Sequence, residues 1–178
     1  MLQADKWKQE SLERDAHIRH KCFPKIDDTV VNYIAAYSPL VEVGAGTGYL
    51  ASRLEASGAD IVATDKYPPH TDRNPYGWKH EHIKVKQMSA ATAVKAHPDR
   101  NVLMSWPSYG KRWAYLAAKC IKKNCHLLYI GEGPGGCTAN DAFFKLMDTD
   151  FHRIDKGPLD SFFGLHDELL IFKRHTNC

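Results

Sequence analysis

The segment Val41-Glu42-Val43-Gly44-Ala45-Gly46-Thr47-Gly48 constrains this chain more than any other. Leu40-Val41-Glu42-Val43 has the make-up of a short buried strand, and the glycine-rich turn follows at once. From Tyr49 to Ala56 the residues read as a helix, with Leu50 and Leu54 one turn apart and Ser57-Gly58 as its stop. A strand running through glycines into a helix is the opening of a βαβ unit. Glycine permits the tight turn and lets a ligand approach the backbone. The first turn of the helix offers unpaired N–H groups to an anion.

The same alternation continues along the chain. Residues 5–21 are helix-like, and Pro24 interrupts them. Asp27 or Asp28 can cap a second helix with Val30, Val31, Ile34 and Tyr37 on one face, ended by Ser38-Pro39. Further strands are expected at 59–64, 82–88, 101–104 and 126–130. Helices are expected at 90–96, at 111–123 and, from a Thr138/Asp141 capping box, to about Met147. Residues 66–80 show no period and read as a long loop. The last strands, 151–155 and 168–173, have no helix between them and should pair as a hairpin. The pattern predicts an α/β fold: a doubly wound, mostly parallel sheet with helices on both faces and a C-terminal antiparallel hairpin. A length of 178 residues suggests one domain, 1–178, with residues 1–27 as a helical N-terminal cap.

The glycine spacing separates ligand classes. A dinucleotide fingerprint would need glycine at position 49, where this chain has Tyr49, and no Gly-Lys-Ser/Thr follows as a P-loop would require. E-x-G-x-G-x-G resembles motif I of the class I S-adenosylmethionine-dependent methyltransferases. Asp65, at the end of the second strand, lies 21 positions after Gly44, the offset at which a carboxylate can accept from ribose hydroxyls. The likeness covers residues 28–174 as an architecture, and 41–48 with Asp65 as a specific motif. LMSWPSYG, GEGPGGCTANDAFF and LHDELLIFKR also resemble segments of a group of small methyltransferase-like proteins.

The resemblance implies S-adenosylmethionine as cofactor. It places Glu42 at the methionine end, Gly44, Ala45, Gly46, Thr47 and Gly48 along the ligand, and Asp65 with Lys66 at the ribose. Met88 and Ser89 fall where the family reads adenine, without its usual acid there, and Ser89 serves equally as a helix cap. Ser105-Trp106-Pro107-Ser108-Tyr109 follows the fourth strand and faintly resembles the D/N/S-P-P-Y/F/W motif of amino-methylating enzymes. Trp106 replaces its first proline, Ser108 replaces its aromatic, and Tyr109 comes one position late. Ser105 and Trp106 are therefore expected beside the cofactor, and Ser105, Tyr109 and His166 are the candidate catalytic residues. Trp106 as a local packing residue is an equal alternative. Glu132, Asp167, Phe162 and Phe163 should lie near the same sheet edge.

The expected acceptor is a small molecule or an amine-bearing one. A net charge of +3, with no run of five like charges, speaks against nucleic acid. Mean hydropathy is −0.46, and no apolar run reaches the roughly 18 residues of a membrane span. Cys22, Cys120, Cys125, Cys137 and Cys178 form no CxxC pair, which fits a reducing, cytoplasmic setting. His17-x-x-His20-x-Cys22 and His80-Glu81-His82 lack a second half, so no metal is expected. Two other readings stay open: a non-catalytic module binding S-adenosylmethionine, S-adenosylhomocysteine or a partner, and a nicotinamide-dependent oxidoreductase, which the glycine spacing disfavours.

Overall fold

The computed structural model describes residues 3–175. Residues 1, 2 and 176–178, and with them Cys178 and both ends of the expected 1–178 domain, lie outside the described residues. The elements run α1 (Gln3–His20), α2 (Asp28–Ala35), β1 (Leu40–Val43), α3 (Tyr49–Ala56), β2 (Ile61–Asp65), β3 (Lys86–Gln87), α4 (Ala90–Ala96), β4 (Asn101–Ser105), α5 (Trp113–Ala118), β5 (His126–Gly131), α6 (Asp141–Asp150), β6 (Phe151–Gly157) and β7 (Glu168–Arg174).

One seven-stranded sheet has the order β3-β2-β1-β4-β5-β7-β6. The ladders among β1 to β5 are parallel. β7 runs antiparallel to both β5 and β6, so it is inserted between them. The C-terminal hairpin is present as expected, and the sheet is mostly parallel with helices on both faces. Burial on both faces explains the near-continuous apolar runs of the central strands. Side chains alternate across the sheet: Val41, Val43, Val102, Met104, Leu127 and Tyr129 pack toward α4, α5 and α6. Leu40, Leu103, Leu128 and Ile130 pack toward α2 and α3.

Three local expectations need correction, and one open choice is resolved. The third strand is only Lys86–Gln87, not 82–88. Its alternating residues Ile83 and Val85 instead pack with Ala51 and Ala63, and the His82 N–H pairs with the Thr47 carbonyl. α5 is shorter than 111–123, because i to i+3 bonds at Cys120 and Ile121 tighten its end while Ile121 stays buried. Thr138 does not cap α6; its hydroxyl donates to the Glu132 carbonyl, and Asn140 accepts from the Phe143 N–H instead. Of the two candidate caps for α2, Asp27 is the one used, accepting from the Val30 N–H.

α1 ends against the glycine turn and the long loop. The Ile18 carbonyl accepts from Trp78 Nε1, and the His20 carbonyl accepts from His80 and His82 Nε2. These side chains satisfy carbonyls that a helix end leaves unpaired. The Lys21 carbonyl accepts from the Thr47 hydroxyl at 2.6 Å, tying the helix exit to the turn.

Candidate functional site

The strand order reverses between β1 and β4. β2 and β3 lie to one side of β1, and every later strand lies to the other. In open α/β sheets ligands bind beyond the carboxyl ends of the strands at such a point. A cavity of about 780 Å³ lies there. A second hollow of about 490 Å³, beside Ile121, Lys122 and Arg174, lies away from all of these residues.

The floor of the larger cavity comes from β1 and its neighbours. Glu42, Gly44, Ala45, Gly46 and Thr47 line it, as do Asp65, Lys66, Ser89, Ser105 and Trp106. Glu42 is only 2% exposed, and its Oε2 has no hydrogen-bond partner. Burial pushes its carboxyl up to about 8, with the Ala51 N–H opposing and the Asp65 charge adding to the rise. Such a buried, unpaired carboxylate is costly unless a donor or a cation meets it. The unfolded chain releases this proton near pH 4.5 and the folded chain only near 8. Stability therefore falls as pH rises through that window. Replacing Glu42 with Gln should stabilise the ligand-free protein near pH 8 and leave it little changed near pH 4.5. Urea unfolding at the two pH values checks this; an equal effect at both would contradict it.

Asp65 ends β2 with both carboxylate oxygens in use. Oδ2 accepts from the Gly46 N–H at 3.0 Å and Oδ1 from the Tyr67 N–H at 2.7 Å. One side chain thus anchors the glycine turn and the start of the long loop, and keeps lone pairs for further donors. The glycines have a second use. Gly44 and Gly46 adopt positive φ, and a Cβ on them would lie 2.9 Å from the Trp113 ring and 2.7 Å from the Trp78 ring. Indoles of the protein itself occupy the space that side chains would need.

An aromatic wall rises above this floor. Phe23 stacks on Trp106, with centroids 5.1 Å apart and planes 9° apart. Tyr76 meets Phe23 at 5.3 Å and Trp78 at 4.6 Å. The Tyr76 hydroxyl reaches Ser108 Oγ at 3.5 Å. Residues before α2, the long loop and the loop after β4 therefore meet around one cavity. Tyr76 and Trp78 belong to the segment that reads as a long loop, and Trp106 to the segment after the fourth strand, whereas Phe23 lies in no motif.

The remaining expected residues are placed differently. Met88 packs against the core and is not among the lining residues. Gly48 is buried at the N-cap of α3, also away from the lining. Ser89 caps α4 and also lines the cavity. Tyr109 is 71% exposed and does not line the cavity. The loop is pinned on either side of it: the Ala139 N–H bonds the Pro107 carbonyl and the Gly110 N–H bonds the Ala139 carbonyl, leaving Tyr109 at an outward turn. The His166 side chain is also exposed and outside the cavity. Its neighbour Asp167 does not orient it; Asp167 Oδ1 accepts from Trp106 Nε1 at 2.9 Å. Burial pushes the Asp167 carboxyl up to about 6, with the Trp106 bond opposing. Phe162 contacts His17 and Phe163 contacts Trp7, so neither forms a cavity wall.

Glu132 supports this region from beneath. It is buried, and its oxygens accept from the N–H groups of Cys137 at 2.6 Å and His166 at 3.1 Å. Burial works against its charge, but those two N–H groups prevail and hold the carboxyl below the usual range. Among the described residues no group of three or more His, Cys, Asp or Glu is placed to hold a metal ion. No described helix is long and apolar enough to cross a membrane.

Known structures share this architecture. A SAM-dependent methyltransferase from Anabaena variabilis aligns over 98% of this chain and 96% of its own, at 12% identity and a TM-score of 0.56. A TehB-like SAM-dependent methyltransferase from Corynebacterium glutamicum aligns over 96% and 97%, at 13% identity and a TM-score of 0.55. Magnesium protoporphyrin IX methyltransferase from Synechocystis, solved with bound SAM, aligns over 93% and 97%, at 12% identity and a TM-score of 0.52. No family model and no curated relative matches the chain. The fold is that of the class I SAM-dependent methyltransferases.

Proposed function

We propose that this chain is an S-adenosylmethionine-dependent methyltransferase acting on a small acceptor. The observation that carries the reading is the pair of carboxylates, Glu42 and Asp65, on neighbouring strands at one cavity of the switch point, with Glu42 Oε2 unpartnered. The cofactor's α-ammonium group would meet the free acceptor of Glu42. Its ribose hydroxyls would donate to Asp65, and the backbone of Gly44 to Thr47 would border the chain between them. Ser89 and Trp113 would lie toward the base, and Ser105 and Ser108 toward the acceptor.

The bound cofactor supplies an activated sulfonium methyl group, so the protein's main task is to align the acceptor. The aromatic wall of Phe23, Tyr76 and Trp106 suits that task by holding a planar molecule and excluding water. Titration calorimetry tests the reading: S-adenosylmethionine and S-adenosylhomocysteine should both bind, and NAD should not. Binding of NAD alone would replace it with the oxidoreductase.

A further inference from the structure

The charges around the cavity are unbalanced. Lys21, Lys66, Arg73, Lys111 and Arg112 line it, against the carboxylates of Glu42 and Asp65. None of these cations has an ion pair among the described residues. Lys21 and Lys66 rest over the rings of Tyr49 and Tyr67. The side chains of Arg73, Lys111 and Arg112 have no partner of any kind among the described residues. The Tyr76–Ser108 contact brings the loop of Arg73 to the loop that leads into Lys111 and Arg112. The three cations thus belong to one rim. A cleft with apolar walls focuses such a field and concentrates ligands of opposite charge.

The proposed cofactor cannot balance this charge. S-adenosylmethionine carries a sulfonium, an ammonium and one carboxylate, and is cationic overall. The partner that offsets the rim must come from the acceptor side, where Phe23 and Trp106 stack in parallel and Ser105 and Ser108 offer hydroxyls.

We infer that the acceptor is a small planar molecule bearing an anionic group, a carboxylate or a phosphate, with its ring against the Phe23–Trp106–Tyr76 wall and its anion at Arg73, Lys111 and Arg112. The assignment rests on the methyltransferase reading and names its substrate class. Guanidinium and ammonium groups bond either anion through charge-assisted hydrogen bonds.

Calorimetry on the full chain tests it in two stages. The first titrates S-adenosylhomocysteine; failure to bind would overturn the cofactor reading and this assignment together. The second titrates the saturated complex with naphthoate, naphthyl phosphate and the uncharged naphthamide. At least one anion should bind roughly tenfold or more tightly than the amide, and the stronger one identifies the group. The preference should shrink as salt rises. It should disappear in Arg73→Glu and, separately, in the Lys111→Glu/Arg112→Glu double variant, each checked for folding by circular dichroism. Equal affinity for the amide, no binding of any probe, or a preference that survives both charge reversals would overturn the acceptor assignment and leave the cofactor reading standing. So would tighter binding of a short RNA oligonucleotide than of either aryl anion.

Discussion

Asp65→Ala should weaken S-adenosylmethionine binding by about 100-fold or more, the largest effect expected of any single change at the site. Two hydrogen bonds to a carboxylate are worth about 1.5–3 kcal/mol each, and every 1.4 kcal/mol is about tenfold. The substitution also frees the N–H groups of Gly46 and Tyr67, which Asp65 now holds. The glycine turn and the loop beyond β2 lose their common anchor, so disorder of the site adds to the lost contact. Asp65→Asn separates the two effects. It keeps an acceptor for one N–H group but loses the charge and the second acceptor, and should fall between the parent and the alanine variant. Calorimetry at matched pH measures both. An affinity for Asp65→Ala within about threefold of the parent would be too small a loss for even one charged hydrogen bond and would remove the ribose assignment.

The second large effect belongs to stability. Glu132→Ala should cost about 2–4 kcal/mol, because removing a buried acceptor leaves its donors without partners. Those donors are the Cys137 and His166 N–H groups, on loops that flank β5 and β7. The cost should depend on pH. The folded protein holds this carboxyl below its usual range. Its contribution is therefore complete above the unfolded value near 4.5. It is lost as pH falls through the lower folded value. Urea unfolding should show parent and variant far apart at neutral pH and converging in acid. A gap of the same size throughout would assign the cost to lost packing instead.

The legible parts of this molecule are those encoded locally. β1, the glycine turn and α3 follow one another without a gap, and the apolar run of β1 is required by burial on both faces. Asp65 was visible because strand and helix lengths fix its offset from Gly44. The final hairpin followed from the absence of a helix between its strands. Side-chain direction was less legible. Sequence position puts Tyr109 and His166 near the sheet edge, but tertiary hydrogen bonds to Pro107, Ala139 and Glu132 decide which way their loops face. Ile83 and Val85 alternate as a strand would, yet the same alternation serves packing on α3 and β2. Phe23, Arg73, Lys111 and Arg112 lie on three separate segments and fit no motif. Only the closed fold brings them to one cavity.

The insertion of β7 between β5 and β6 has a consequence for biosynthesis. On a ribosome β6 emerges before β7, yet all its ladder partners are on β7. Until then β5 has one open edge, with its backbone donors and acceptors exposed. Unpaired edges invite contact with other chains. The nascent protein can complete the half of the sheet that carries the glycine turn early. It must keep β6 waiting and the edge of β5 uncovered until the last strand arrives to close both.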